Sequence, residues 1–138
     1  MAERYGKYRA VVSDILDPEV RGRIKVKCPS LLSLSDSSWC EYCGSTSDFH
    51  LPALGDTVWV EFENGLVDKP VYSGSWYAKE QIPTTDTSGS TRVIQFNGNT
   101  ITMSDHIELK SKDGTTISIN GGSLTINGVA VALVTQLP

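Results

Sequence analysis

Beyond residue 92 the sequence is a series of apolar pairs, each spaced two residues apart and separated from the next by Gly, Asn or Asp. The pairs are Ile94 and Phe96, Ile101 and Met103, Ile107 and Leu109, Ile117 and Ile119, and Leu124 and Ile126. Side chains two apart in an extended strand point to the same face. Each pair therefore marks a short strand with one greasy side: "VIQF", "TITM", "HIELKSK", "TTISIN" and "SLTIN". The breaks between them hold Gly98, Gly114, Gly121, Gly122 and Gly128, beside Asn or Asp in most cases. Such dipeptides favour tight turns because Gly, Asn and Asp tolerate positive φ. No helical pattern follows that would cover the apolar face. A lone meander would leave that face wet and both its edges open. Repeated units that cannot bury their own face stack on one another. Segment 93–138 is therefore expected to be an intertwined trimeric β-helix or β-prism, with those ten side chains as the trimer core. The competing arrangement is a meander that packs back on the rest of the chain.

Residues 8–76 carry a different pattern. "YRAVVSDIL" has high strand propensity, and the turn formers "DPEVRG" follow it. In "GRIKVKC", Ile24 and Val26 point one way and Arg23, Lys25 and Lys27 the other. A polar stretch leads to "WCEYC". Val58, Val60 and Phe62 then alternate with Trp59 and Glu61, and "DKPVYSGSWY" supplies a last strand. Five short strands, one long loop and no amphipathic helix fit a five-stranded Greek-key barrel of the OB type. Residues 1–7 read as a polar N-terminal arm. Residues 77–92, rich in Ser, Thr, Gly and Pro, read as an extended linker. The fold class is thus all-β, an OB-type barrel followed by a trimeric spike.

Composition narrows the function. Charged residues make up 20% and the net charge is −4, so nothing draws the chain generally to nucleic acid or anionic lipid. No apolar run approaches the roughly twenty residues that span a bilayer. "MAERYGKYRAVV" lacks a signal peptide's apolar segment, which implies synthesis in the cytosol without that export route. Three cysteines, an odd number, argue against a disulfide framework.

The middle of the chain resembles a known family. Gly22, Arg23, Ile24 and Val26; Pro52, Gly55, Asp56, Val58, Val60 and Phe62; and Gly65, Asp68, Pro70, Val71 and Gly74 follow, in order and spacing, the barrel of contractile-tail central spike proteins. These include phage baseplate spikes and the valine-glycine-repeat spikes of type VI secretion. Leu66 departs from the pattern, standing where an acidic residue is common. The resemblance implies an OB barrel, a homotrimer and a β-helical needle. Some relatives insert a lysozyme domain between barrel and needle, for which the short linker leaves no room. Some needles end in a His-x-His pair that binds iron. Here His106 stands alone and far from the C-terminus, so that site is not carried over.

Three further constellations bear on chemistry. Cys28, Cys40, Cys43 and His50 form the one conceivable zinc set, since Cys-x-x-Cys is a familiar spacing. If "WCEYC" is a strand, however, its two cysteines face opposite sides, and reduced thiols are the expectation. Arg21, Arg23, Lys25 and Lys27 form a basic stripe near Trp39 and Tyr42, the kind of surface an OB barrel uses on single-stranded nucleic acid. Glu41, Glu61 and Glu63 are available to neutralise it. No Ser-His-Asp motif stands out, and the aspartates sit mostly in turns, so no catalytic residues, enzymatic activity or cofactor are expected.

The expected function is that of a structural central spike of a phage contractile-tail baseplate, located in the virion. Its barrel would attach to a tail hub, and its trimeric needle would pierce the host envelope on contraction. A separate protein capping the C-terminal "GVAVALVTQLP" is a further expected partner; nucleic acid is not. The competing classes are an OB-fold single-stranded nucleic-acid-binding protein and a trimeric receptor-binding fibre or adhesin.

Overall fold

The computed structural model describes residues 2–31 and 35–132, and the chain divides into two compact units, 1–77 and 78–138. The first unit holds β1 (Tyr8–Asp14), β2 (Lys25–Lys27), β3 (Glu41–Tyr42), β4 (Thr57–Phe62) and β5 (Pro70–Ser73). They form one sheet in the order β2-β1-β4-β5-β3. Strand β3 runs parallel to β5, and every other neighbouring pair is antiparallel. Antiparallel bridges Ile24–Cys40 and Lys27–Asp36 bring the two edge strands together. Ser37, the buried polar residue at this seam, is used in full. Its Oγ accepts a hydrogen bond from the Val26 N–H at 3.0 Å and donates one to the Ser38 carbonyl at 2.7 Å. A buried hydroxyl left unpaired would cost about 1–3 kcal/mol, so its pairing makes the seam stable.

The alternation read in the sequence sets the core. Ile24, Val26, Val58, Val60 and Phe62 are buried, together with Ala10, Val12, Cys28, Cys40 and Tyr72. Each fully buried Ile or Val contributes roughly 1.5–3 kcal/mol, so this unit holds a core of its own. The Tyr72 hydroxyl donates to the Gly22 carbonyl at 2.6 Å, tying β5 to the turn before β2. Burial pushes the Tyr72 pKa up to about 12. The N-terminal arm is engaged within its own unit. The Arg4 N–H donates to the Gly65 carbonyl at 2.8 Å, and the Tyr5 ring lies where a Cβ on Gly65 would sit. Lys7 pairs with Glu61 at 2.6 Å.

The second unit holds β6 (Arg92–Phe96), β7 (Asn99–Met103), β8 (Ile107–Lys110), β9 (Thr116–Asn120), β10 (Ser123–Ile126) and β11 (Val129–Ala130). They form an antiparallel meander in strict chain order. The turns are where the sequence placed them. Asn97 and Gly98 have φ of 50° and 79°, and Asn127 and Gly128 have 48° and 79°. Two positive-φ residues in a two-residue loop give the turn whose twist matches that of the flanking strands. Within a single chain the segment is thus a six-stranded open sheet, each strand paired with its neighbours in sequence. The physical reason is local. Each break is short enough to return the chain beside the strand it has just left. Residues 78–91, expected as an extended linker, contain turns. The Asp86 carboxylate accepts from the Ser88 hydroxyl at 2.6 Å, the Thr91 hydroxyl at 2.5 Å and the Ser88 N–H at 2.8 Å, which lowers its pKa to about 2. The end of the apolar tail, residues 133–138, lies outside the described residues.

Candidate functional site

Register turns the apolar pairs into two continuous rows. Ile94 stands opposite Ile101, Ile101 opposite Leu109, Leu109 opposite Ile117, Ile117 opposite Ile126, and Ile126 opposite Val129. The second row runs Met103, Ile107, Ile119 and Leu124. The Val131 N–H bonds to the Leu124 carbonyl at 2.8 Å and extends it. Phe96 lies beyond the first row at the end of β6, on the same face as Ile94. All ten expected core residues therefore share one face. The other face carries Thr100, Thr102, Glu108, Lys110, Thr116, Ser118 and Thr125.

The apolar face is exposed in the single chain. Ile117 is 37% accessible, Ile119 49% and Phe96 63%. Among the described residues, none after Tyr72 is buried. Ile94, Phe96, Ile101, Leu109 and Ile117 line a shallow apolar concavity of about 370 Å³. Isolated exposed isoleucines are ordinary on a protein surface. Two aligned rows of them across six strands form a contiguous patch of the kind that marks an interaction surface.

The basic stripe is largely consumed within the barrel. The Asp17 carboxylate accepts from the backbone N–H groups of Glu19, Arg21 and Arg23. It also accepts from the Arg23 guanidinium, through Nε at 3.1 Å and Nη2 at 2.8 Å. The Arg23 bond holds the Asp17 carboxyl well below the usual carboxylate range, and Asp17 in turn raises the Arg23 pKa. Arg23 also pairs with Glu19, and Arg21 pairs with Glu41 at 2.7 Å. Lys25 lies 5.1 Å from the Trp39 ring centre. Of the three glutamates expected to neutralise the stripe, Glu41 does so, while Glu61 pairs with Lys7. Sequence reasoning placed Asp17 only as a turn former. Its role as the anchor of the whole 17–23 loop was signalled solely by an Arg six residues later.

Cys28 and Cys40 are buried and reduced, while Cys43 is exposed. Burial raises the Cys40 thiol to about 11, which keeps it protonated and unreactive at neutral pH. Among the described residues no three His, Cys, Asp or Glu side chains group to hold a metal ion, so Cys28, Cys40, Cys43 and His50 are not brought together as a zinc site. A second feature absent from the sequence reading is an aromatic–cation stack. The Arg9 guanidinium lies 4.5 Å from the Trp76 ring centre and 5.3 Å from that of Trp59. The Trp59 indole N–H donates to the Ser75 carbonyl at 3.2 Å. This fixes the end of β5 and the residues after it against the outer side of β1 and β4.

Strand order, the two bridges that close the sheet, and one enclosed core define the first unit as a small barrel of OB topology. The chain belongs to the family of type VI secretion system and phage-baseplate injector OB domains, whose model matches residues 8–77. The family gives the barrel a structural place in an injection baseplate and agrees with a component of a virion tail. No curated protein matches the chain.

Proposed function

We propose that the protein is the trimeric central spike of a contractile injection baseplate. Three copies of the 92–131 sheet face one another and bury their apolar rows around a threefold axis. The observation that carries this reading is the pair of apolar rows, which run across the sheet in a unit with no buried residue among those described. A threefold closure covers all three faces at once and leaves the hydroxyl-rich faces outward. An axis along the rows gives each subunit's six strands a length of about 24 Å, at roughly 4.8 Å per strand spacing. The function is mechanical and involves no catalysis. Sheath contraction drives the closed prism against the host envelope. Bending or fraying it requires many backbone hydrogen bonds and packed side chains to yield together. The barrel attaches the spike to a tail hub, and a separate protein covers the C-terminal end.

Light scattering coupled to size exclusion tests this directly. The expected mass is three times 15.0 kDa. A species of 15.0 kDa that persists at micromolar concentration overturns the reading. The nucleic-acid alternative loses its main support in the pairing of Arg21 and Arg23 with Glu41, Asp17 and Glu19.

A further inference from the structure

The meander has two lateral sides, and one opposite-charge pair, Lys112 and Asp105, lies on them at matching heights. Strands β6, β8 and β10 run one way and β7, β9 and β11 the other, so the turns 97–98, 111–115 and 127–128 share one side. The turns 104–106 and 121–122 share the opposite side. The first side carries Lys112. Its backbone N–H donates to the Asn99 Oδ1 at 3.0 Å, and its Cγ and Cβ lie 3.0 and 3.3 Å from where a Cβ on Gly98 would be. Lys112 is therefore drawn from its own loop to the level of β7. On the opposite side, Asp105 sits in the turn between β7 and β8. Its side chain is 96% accessible, and its partners are its neighbours Ser104 and His106. The two charges thus occupy nearly the same level at opposite ends of the strands.

We propose that Asp105 of each subunit pairs with Lys112 of the next at the corners of the trimer; this rests on the threefold reading above. In a closed ring every corner joins one lateral side to the opposite side of the neighbouring copy, so the contact is heterologous and repeats identically three times. Each corner then sets the lysine side against the aspartate side at the height of β7. Three other charges lie at these ends. Asp113 is held within its own loop by the Ser111 hydroxyl and the Thr115 N–H. Arg92 opens β6 opposite Met103, so it lies at the Asp105 end, one strand further along the sheet. Lys110 ends β8 beside Lys112 and adds to the positive side. A like-charged corner is disfavoured, so the pairing also favours three parallel copies over a ring with one copy inverted.

The full-length single variants Asp105→Lys and Lys112→Asp test this, first alone and then refolded together. Each homotrimer of a single variant contains three repulsive corners. A mixed trimer contains one, because a ring of three cannot alternate completely. Native mass spectrometry of the co-refolded pair is expected to show the two mixed species in about tenfold or greater excess over the homotrimers, where chance gives threefold. Two corners turned from repulsive to attractive, each of modest strength, suffice for this skew. The double variant Asp105→Lys/Lys112→Asp is expected to assemble as the unaltered protein does. A chance distribution from trimers of both single variants overturns the corner pairing and leaves the trimer standing. A monomeric unaltered chain overturns the threefold reading, and the pairing with it.

Discussion

The two units of this chain are made from the same material and reach opposite ends. Both are short strands with apolar residues spaced two apart. In the barrel, the strands close on themselves through the Ile24–Cys40 bridge, and Ile24, Val26 and Val60 are fully buried. In the meander, the strands return beside one another without closing, and Ile107, Ile117 and Ile119 stay exposed. The difference lies in the connections. Long excursions in the barrel, such as 28–40, carry the chain across to the far edge of its sheet. Two- to five-residue turns in the meander permit only the adjacent strand. Alternation dictates that a face is apolar; loop length decides whether one chain can cover it.

The sharpest way to break this contrast is Ile117→Asp. In the proposed trimer it sets three carboxylates against an apolar axis, and a buried unpaired charge is strongly destabilising. The expected result is complete loss of the trimer, with the mass falling to 15.0 kDa. The barrel should not notice. Trp39, Trp59 and Trp76 all lie in the first unit, so tryptophan fluorescence reports it alone. Loss of the native emission together with the trimer would mean that the two units do not fold independently.

Ile24→Ala is the mirror experiment. Ile24 is fully buried, and such truncations cost about 2–5 kcal/mol. That is a large share of a small domain's total stability. The barrel's fluorescence-monitored denaturation midpoint should fall sharply while the trimer persists. Dissociation of the trimer at denaturant concentrations where only the barrel unfolds would show that assembly depends on the barrel.

A third test separates what could be read in the sequence from what could not. The barrel strands, the inward residues Ile24, Val26, Val58, Val60 and Phe62, and all five turns of the meander follow from period-two alternation and from Gly, Asn and Asp at the breaks; the burial of Ala10, Val12, Cys28, Cys40 and Tyr72 does not. These signals are local, and local signals survive in a linear text. Asp17 shows the limit. Its five hydrogen bonds to Glu19, Arg21 and Arg23 depend on the loop folding back around one carboxylate. The Arg9 stack joins residues from three separate segments, and the corner residues Asp105 and Lys112 gain meaning only once strand direction sorts the turns by side. Asp17→Asn probes the first of these. Because the folded protein holds this carboxyl below its ordinary pKa, its stabilisation is present above the ordinary carboxylate range, about pH 4, and is lost as pH falls through the depressed value. The barrel of the unaltered protein should lose thermal stability on acidification over that window. The Asn variant should be less stable at neutral pH by less than the Ile24→Ala variant, and its midpoint should vary less on acidification. Parallel pH profiles for the two proteins would remove Asp17 as the loop's anchor.

The smallest effect lies in the turns, where it tests whether the meander is as tightly specified as the barrel. Gly98 has φ of 79°, and a Cβ there would press on Lys112; Gly121 has φ of 55°, with nothing within 4 Å. Gly121→Ala meets only the backbone penalty of a positive φ, about 1–2 kcal/mol. Gly98→Ala meets the same penalty and must also displace a lysine held at Asn99. In the proposed trimer three identical chains multiply either defect, so a difference too slight to measure in one hairpin should become visible in the thermal midpoint. Circular dichroism should rank Gly98→Ala below Gly121→Ala. Equal midpoints would mean that Lys112 swings freely. Its height along the sheet would then be fixed only by its backbone bond to Asn99, which would weaken the geometric match with Asp105 while leaving the apolar rows untouched.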